Sequence, residues 1–435
     1  MANKLIIRRM DAVTRQDAEI AAALATYMYV ITRIAAPDGM KLGEIIRSVD
    51  AGEDKVKKSA AYIAFRSVVL KYPDLMMNLV LYKQSHIMEG EMKNARAAAF
   101  TAAGRAYVAY RGTYDLEWTD NGIGLFERST RLQRLAADYF DRVAQELSFN
   151  DGMRITVCGH SKGGNKAQFV TLGSQYANLI DRCWSFDGQG FSPEAIKYYK
   201  KSLGSAEYHK RIAKMVSVCG ENDYVNPLGV KIIPSGNTYY LSTPEAALER
   251  FLSNHIMENL WEKGEDGYTG SLNSETASAS LCRFSRKLSK SIMRLPVDER
   301  QGVALTVTQL IENIDGEKVS KEESKSTKEM VNAMTKAVPG VFSTAFLTVE
   351  GRRLILGYAD VFADAKNRQK GMKKKDKGFW QKVLLWLRNA GIHFVLSIIS
   401  LILAVPVAIV WGVGAIRRWI GSFDKSKALK EESVN

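Results

Sequence analysis

The chain has 435 residues, enough for two or three domains with cores of their own. With 46% apolar and 25% charged residues it has the balance of a folded globular protein, which excludes disordered, collagen-like and heptad-repeat chains. The net charge of +14 is unevenly placed: residues 366–388 carry nine basic side chains and one acidic, 389–416 carry none, and 417–435 carry five and three. Positive charge gathered around one apolar stretch points to a membrane and away from nucleic acid, which would be met by charge spread over the fold.

In chain order, residues 17–34 read as a helix closed by a Pro37-Asp38-Gly39 turn. Residues 105–111 alternate as a strand that ends at Gly112-Thr113. Leu132, Leu135, Tyr139, Val143 and Leu147 recur at helical spacing. Strands are expected at 154–159, 182–187, 213–219 and 237–241, with helices at 162–177 and 193–203 between them. Strands alternating with helices predict an α/β fold whose mostly parallel sheet is covered on both faces. Beyond Ser271 the pattern predicts helices only, with stripes at Leu281, Phe284, Leu288 and Ile292 and at Val303, Val307, Leu310 and Ile314. The run 320–328 of Lys, Glu and Ser reads as a solvated linker.

Residues 390–416 hold only His393, Ser397 and Ser400 as clearly polar side chains, and roughly 20 apolar residues cross a bilayer as helix. Trp380 and Trp386 precede the segment, and Trp411 and Trp419 lie near its end, as in an interfacial belt. Pro406 would kink it, which keeps a re-entrant hairpin open. The larger basic flank on the amino-terminal side favours a body on the cytoplasmic side, anchored by one C-terminal pass. The expected organisation is therefore an α/β domain at 1–270, a helical extension at 271–370, a basic juxtamembrane segment at 371–389, a transmembrane helix at 390–416 and a polar tail at 417–435.

Cys158, Cys183, Cys219 and Cys282 form no CxxC pair, and no Cys/His cluster has zinc spacing, so neither a disulfide scaffold nor a metal is expected. No signal peptide of the usual form follows Arg8 and Arg9.

One motif carries chemistry. Gly159-His160-Ser161-Lys162-Gly163 is G-x-S-x-G between an expected strand and an expected helix. Such a turn pushes the serine hydroxyl out at the carboxyl edge of the sheet and aims a helix N-terminus at a developing oxyanion. The serine needs a base oriented by an acid, in the chain order Ser, acid, His. Of the histidines after the elbow, His255, near Trp261, is favoured over His209, which sits in a charged stretch. His160 is expected to point away from the nucleophile. Asp223 is the first candidate acid, Asp187 the alternative and Glu221 the third. The oxyanion donors are expected to be the N–H groups of Thr113 and Lys162.

Through Tyr107-Val108-Ala109-Tyr110-Arg111-Gly112-Thr113, Val157-Cys158-Gly159-His160-Ser161-Lys162-Gly163-Gly164-Asn165, Ser185-Phe186-Asp187-Gly188-Gln189-Gly190-Phe191 and His255, the chain resembles the class 3, fungal-type lipases of the α/β-hydrolase superfamily. It looks closer still to a bacterial lipase-like family of unknown function, named for its association with mobile elements. The resemblance implies an oxyanion donor at Thr113, and it favours Asp223 through Asp223-Tyr224-Val225-Asn226-Pro227, which is similar to the lipases' D-x-V-P segment. Tyr110 and Asn226 depart from the lipase pattern, and the short interval from Asp223 to His255 leaves the lid and acyl pocket untransferred.

The expectation is a membrane-anchored serine hydrolase of carboxylic esters, a lipase, esterase or phospholipase that needs no cofactor. Its partners would be an ester substrate and a membrane. The alternatives are a catalytically inactive hydrolase-fold interaction protein at the membrane and a toxin-like phospholipase effector. Head group, acyl length and oligomeric state are not legible.

Overall fold

The computed structural model describes residues 7–52, 55–113, 117–148, 152–244, 254–265, 267–298, 300–301 and 304. The elements are α1 (Ala12–Tyr27), α2 (Ile31–Ile34), α3 (Leu42–Ala51), α4 (Ala60–Lys71), α5 (Pro73–Met76), β1 (Val80–Gln84), β2 (Ala97–Ala102) and β3 (Arg105–Tyr110). Then come α6 (Trp118–Ile123), α7 (Arg131–Leu147), β4 (Arg154–His160), α8 (Lys162–Gly173), β5 (Ile180–Phe186), α9 (Pro193–Ala213), β6 (Met215–Gly220) and β7 (Thr238–Leu241). The last are β8 (Trp261–Gly264), β9 (Gly267–Leu272), β10 (Glu275–Thr276) and α10 (Ser280–Ile292).

One sheet runs in the order β1-β2-β3-β4-β5-β6-β7-β10. It is parallel from β3 to β7 and antiparallel at both margins. β8 and β9 form a separate hairpin. Period-2 alternation sorts the strand residues into two cores, one on each face. Phe100, Tyr107, Ala109, Cys158, Trp184 and Val218 pack with α1 and α4. Ala99, Val108, Tyr110, Val157, Cys183 and Met215 pack with α7 and α8. In α1 the run Ala21, Ala22, Ala23 and Ala25 is fully buried, so a helix of small side chains lies directly on the sheet. α7 begins with a capping box in which Thr130 Oγ1 accepts from the Gln133 N–H at 3.2 Å and Gln133 Oε1 accepts from the Thr130 N–H at 2.8 Å.

The α/β class and the parallel central sheet are as expected. The helix expected over 17–34 is broken: α1 ends at Tyr27 and α2 resumes at Ile31. α9 runs ten residues past its expected end, to Ala213, across a kink at Gly204 whose φ is 74°. The helix-only pattern expected after Ser271 starts later, because the chain first adds β10 against β7. All four cysteines are buried and free, and burial pushes the Cys183 and Cys219 thiols up to about 12. Among the described residues no helix is long and apolar enough to cross a membrane. The second stripe, the 320–328 run and the 390–416 segment lie outside the described residues.

Level register makes the carboxyl edge of the sheet the meeting point of the motifs. Tyr110 pairs with Gly159, His160 with Phe186, and Phe186 with Val218. The loops after β3, β4, β5 and β6 therefore start side by side, and they carry Thr113, Ser161, Asp187 and Asp223.

Candidate active site

Ser161 joins β4 to α8 with φ 58° and ψ −124°, a backbone region that side-chain-bearing residues avoid. Such strain costs on the order of 1–3 kcal/mol and persists only where the surroundings impose it. Here they do: the Ser161 N–H donates to the Phe186 carbonyl at 2.8 Å, and two glycines let strand and helix close on one another. A Cβ on Gly163 would lie 2.1 Å from the Tyr110 carbonyl oxygen, and one on Gly159 would lie 2.4 Å from the Gly163 backbone. The sequence G-x-S-x-G is thus a steric requirement of this turn.

The turn delivers the Ser161 hydroxyl to His255. Ser161 Oγ lies 2.7 Å from His255 Nε2, and His255 Nδ1 is hydrogen-bonded to Asp223 Oδ1. A carboxylate can only accept, so Asp223 fixes the proton on Nδ1 and leaves Nε2 to take the serine proton. Asp223 is itself held: Oδ2 accepts from the N–H of Val225 at 3.1 Å and of Asn226 at 2.5 Å. All three side chains are buried, so their contacts lie out of bulk water. Ser161, Asp223 and His255 are thereby brought together.

Asp187, the alternative acid, accepts from the Gly220 N–H at 2.8 Å instead. Burial, and then the neighbouring Asp223 charge, push its carboxyl well above the usual carboxylate range. Two adjacent buried carboxyls disfavour one another's ionisation, and Asp187 is the one pushed upward. Glu221 turns away from the relay and accepts from the Thr243 N–H at 3.2 Å.

His160 was expected to point away from the nucleophile, and it does not. Its ring stacks on His255 at 4.8 Å between centroids and 26° between planes, and its Nδ1 pairs with the Tyr29 hydroxyl at 2.6 Å. Burial, and then His255, hold the His160 imidazole well below its ordinary pKa, so it stays neutral against the base. His160, Asp187 and His255 offer donor atoms within 4.8 Å of one another. The two imidazoles are nearly parallel, however, so their in-plane lone pairs do not converge, and both His255 nitrogens are already engaged.

Of the expected oxyanion residues, Lys162 follows the serine in the chain and Thr113 follows Gly112 in the loop after β3. Lys162 opens α8, where backbone N–H groups are unpaired by the helix. Gly112, just before Thr113, is pressed against the nucleophile: a Cβ there would lie 3.3 Å from Ser161 Cβ and 2.3 Å from the Tyr29 hydroxyl oxygen. Both residues are tied to α6. Asn121 Nδ2 donates to Thr113 Oγ1 at 2.9 Å, and the buried Lys162 ammonium pairs with Asp120 Oδ2 at 2.5 Å. Burial would raise the Asp120 carboxyl, but the Lys162 charge and hydrogen bonds outweigh it and hold it below its ordinary value. Tyr29, Asp120 and Asn121 were missed by sequence reasoning, since no local motif marks them.

A serine relay at the carboxyl edge of a parallel α/β sheet is the arrangement of a hydrolase of the α/β type. Residues 73–226 match the model of the family described as Mbeg1-like, a class 3 lipase-like family, and the resemblance drawn from the motifs falls largely within that segment. No curated protein matches the sequence. Among solved structures, the chain is similar to a Rhizomucor miehei lipase–propeptide complex at 13% identity and a TM-score of 0.34, over 54% of this chain and 70% of that one. It is similar to the Lip2 lipase of Yarrowia lipolytica at 13% identity and a TM-score of 0.33, over 62% and 91% of the two chains. A mutant form of MDLA from Penicillium cyclopium matches at 13% identity and a TM-score of 0.35, over 55% and 84%.

Proposed function

We propose that the chain is a serine hydrolase of carboxylic esters, a lipase or esterase held at a membrane by residues 390–416. The single observation that supports this most is the Ser161 Oγ to His255 Nε2 contact of 2.7 Å on a strained elbow, with Asp223 behind the imidazole. In the first step Ser161 Oγ attacks the ester carbonyl carbon while His255 Nε2 takes its proton. The oxyanion is met by the N–H groups of Thr113 and Lys162, each such donor contributing roughly 10²–10³ in turnover. The imidazolium is stabilised by Asp223 and returns its proton to the leaving alcohol. Water, deprotonated by His255, then attacks the acyl-serine and releases the acid.

The lipid character of the substrate rests on the apolar 390–416 segment and its basic flank, which would hold the site at an interface rich in esters. The organisation proposed is a lipase-like body on the cytoplasmic side, a helical extension, a basic segment and one C-terminal span. The complete relay disfavours an inactive scaffold. Hydrolysis of a soluble short-chain ester by detergent-solubilised protein tests the chemistry: activity lost in Ser161→Ala supports it, and equal activity in the variant refutes it. Alkaline extraction of membranes tests the anchor, since the full chain should stay in the pellet and a chain ending at 389 should be released.

A further inference from the structure

At the amino edge of the sheet three consecutive parallel strands each present an arginine to the same face. Arg105 opens β3, Arg154 opens β4, and Arg182 is the third residue of β5. Arg105 pairs with Arg154 in register, and Thr156, two residues on, pairs with Arg182. Neighbouring strands are ~4.8 Å apart, and like charges placed opposite one another destabilise a sheet. The three guanidiniums line an open cavity of about 70 Å³ floored by Tyr107 and Trp184 and shared with two carboxyls, Asp17 of α1 and Asp181 of β5. Both aromatic rings are buried, so the floor is rigid.

The two carboxyls do not pair closely with the arginines. Among the described residues no carboxylate lies within ion-pair distance of any of the three guanidiniums. Asp181, like the three arginines, is exposed to water, where charge is screened. Asp17 is half-buried, and burial raises its carboxyl more than Arg105 and Arg182 lower it. Three arginines against two aspartates leave this concave, aromatic-floored site with cationic forks from three strands and one positive charge in excess. Arginine forks suit an acceptor with several equivalent oxygens and more than one charge, which a phosphate group offers and a carboxylate with two oxygens does not. The space equals roughly two water volumes, room for one such group with the rest of its carrier outside.

We propose that this cavity binds a phosphate group, free or as a phosphomonoester, through Arg105, Arg154 and Arg182. The site lies at the opposite end of β4 from Ser161, roughly 20 Å away along the strand. It therefore stands independently of the ester-hydrolysis reading and adds a second ligand to the same body.

Thermal unfolding of the full-length detergent-solubilised protein tests this, with inorganic phosphate compared against sodium chloride at matched ionic strength. The wild type should rise in Tm with the logarithm of phosphate concentration. Arg105→Ala/Arg182→Ala should weaken apparent affinity by about ten-fold or more, and Arg105→Lys/Arg182→Lys by less, since charge is kept and the fork is lost. Arg131→Ala, which removes an exposed arginine paired with Glu91, should respond as the wild type does. Vesicle flotation distinguishes the sources: binding to phosphatidic acid over phosphatidylglycerol that depends on Arg105 and Arg182 marks a lipid carrier, and a phosphate response alone marks a soluble one. No shift beyond that in chloride, or the same shift in cooperatively melting Ala and Lys double variants, would overturn the proposal.

Discussion

The two ends of β4 are built on opposite principles. At the carboxyl end His160 and Ser161 are buried, Ser161 is strained and hydrogen-bonded to His255, and glycines leave strand and helix no slack. At the amino end Arg154 stands exposed beside Arg105 and Arg182 around an open cavity, with charge left over. One end uses backbone strain to place a hydroxyl within 2.7 Å of a base, and the other keeps cationic forks facing water. A parallel sheet allows this because its strand starts and strand ends are separate rows of loops, so chemistry can be concentrated in one row without constraining the other.

The largest effect that would break or sharpen this contrast concerns the two buried carboxyls at the carboxyl end. Asp223→Asn should lower ester turnover by roughly 10⁴, because the imidazole loses its correct tautomer. Asp187→Asn should stay within about ten-fold of wild type, since its side chain bonds the Gly220 N–H and not the imidazole, and an amide oxygen can accept the same bond. Parallel kcat measurements decide between them, and equal losses would show that the acid is misassigned. Next, Gly163→Ala should destabilise the fold by about 3 kcal/mol or more, as its methyl would lie against the Tyr110 carbonyl; chemical denaturation reads this directly.

A third effect is set by a buried cation just past the elbow. Lys166 is fully buried, with its ammonium donating to the Ala95 carbonyl at 3.2 Å, and burial pushes its pKa from 10.5 down to about 8. Below about 8 the native state bears the whole penalty of a buried charge, and the penalty fades as pH rises from about 8 to 10.5, where the unfolded chain also loses the proton. Lys166→Met should therefore stabilise the protein by about 1–3 kcal/mol at neutral pH, with a gain that shrinks across that window in denaturant titrations. The smallest effect belongs to the amino end. Arg154→Gln, in phosphate-free buffer, should raise stability by about 0.5 kcal/mol by relieving repulsion from Arg105, and urea unfolding would detect a change of the opposite sign.

How much of this was legible in the sequence depends on how far apart the cooperating residues lie. The elbow was legible because strand, glycines, serine and helix follow one another within a few residues. Asp223 and His255 were expected from chain order and neighbouring motifs, and the structure places His255 against Ser161 and Asp223 against His255. β2, Ala97–Ala102, was not seen: four of its six residues are alanine, which favours helix, and only pairing between β1 and β3 makes it a strand. β10 was missed because two residues carry no period, and it exists only because β7 leaves an edge to pair with. Tyr29 reaches His160 across 131 positions, a contact that no local pattern announces. His160 was misread because a neighbour in sequence was assumed to diverge from the serine, whereas the reversed backbone at Ser161 turns both side chains toward His255.

The central claim is that Ser161 is activated by His255. Labelling with a fluorophosphonate, followed by peptide mass spectrometry of the adduct, tests it most directly. The account predicts one adduct, on Ser161, in the wild type and none in Ser161→Ala or His255→Ala. A folded wild type that takes up no label, or label that persists in His255→Ala, would contradict it.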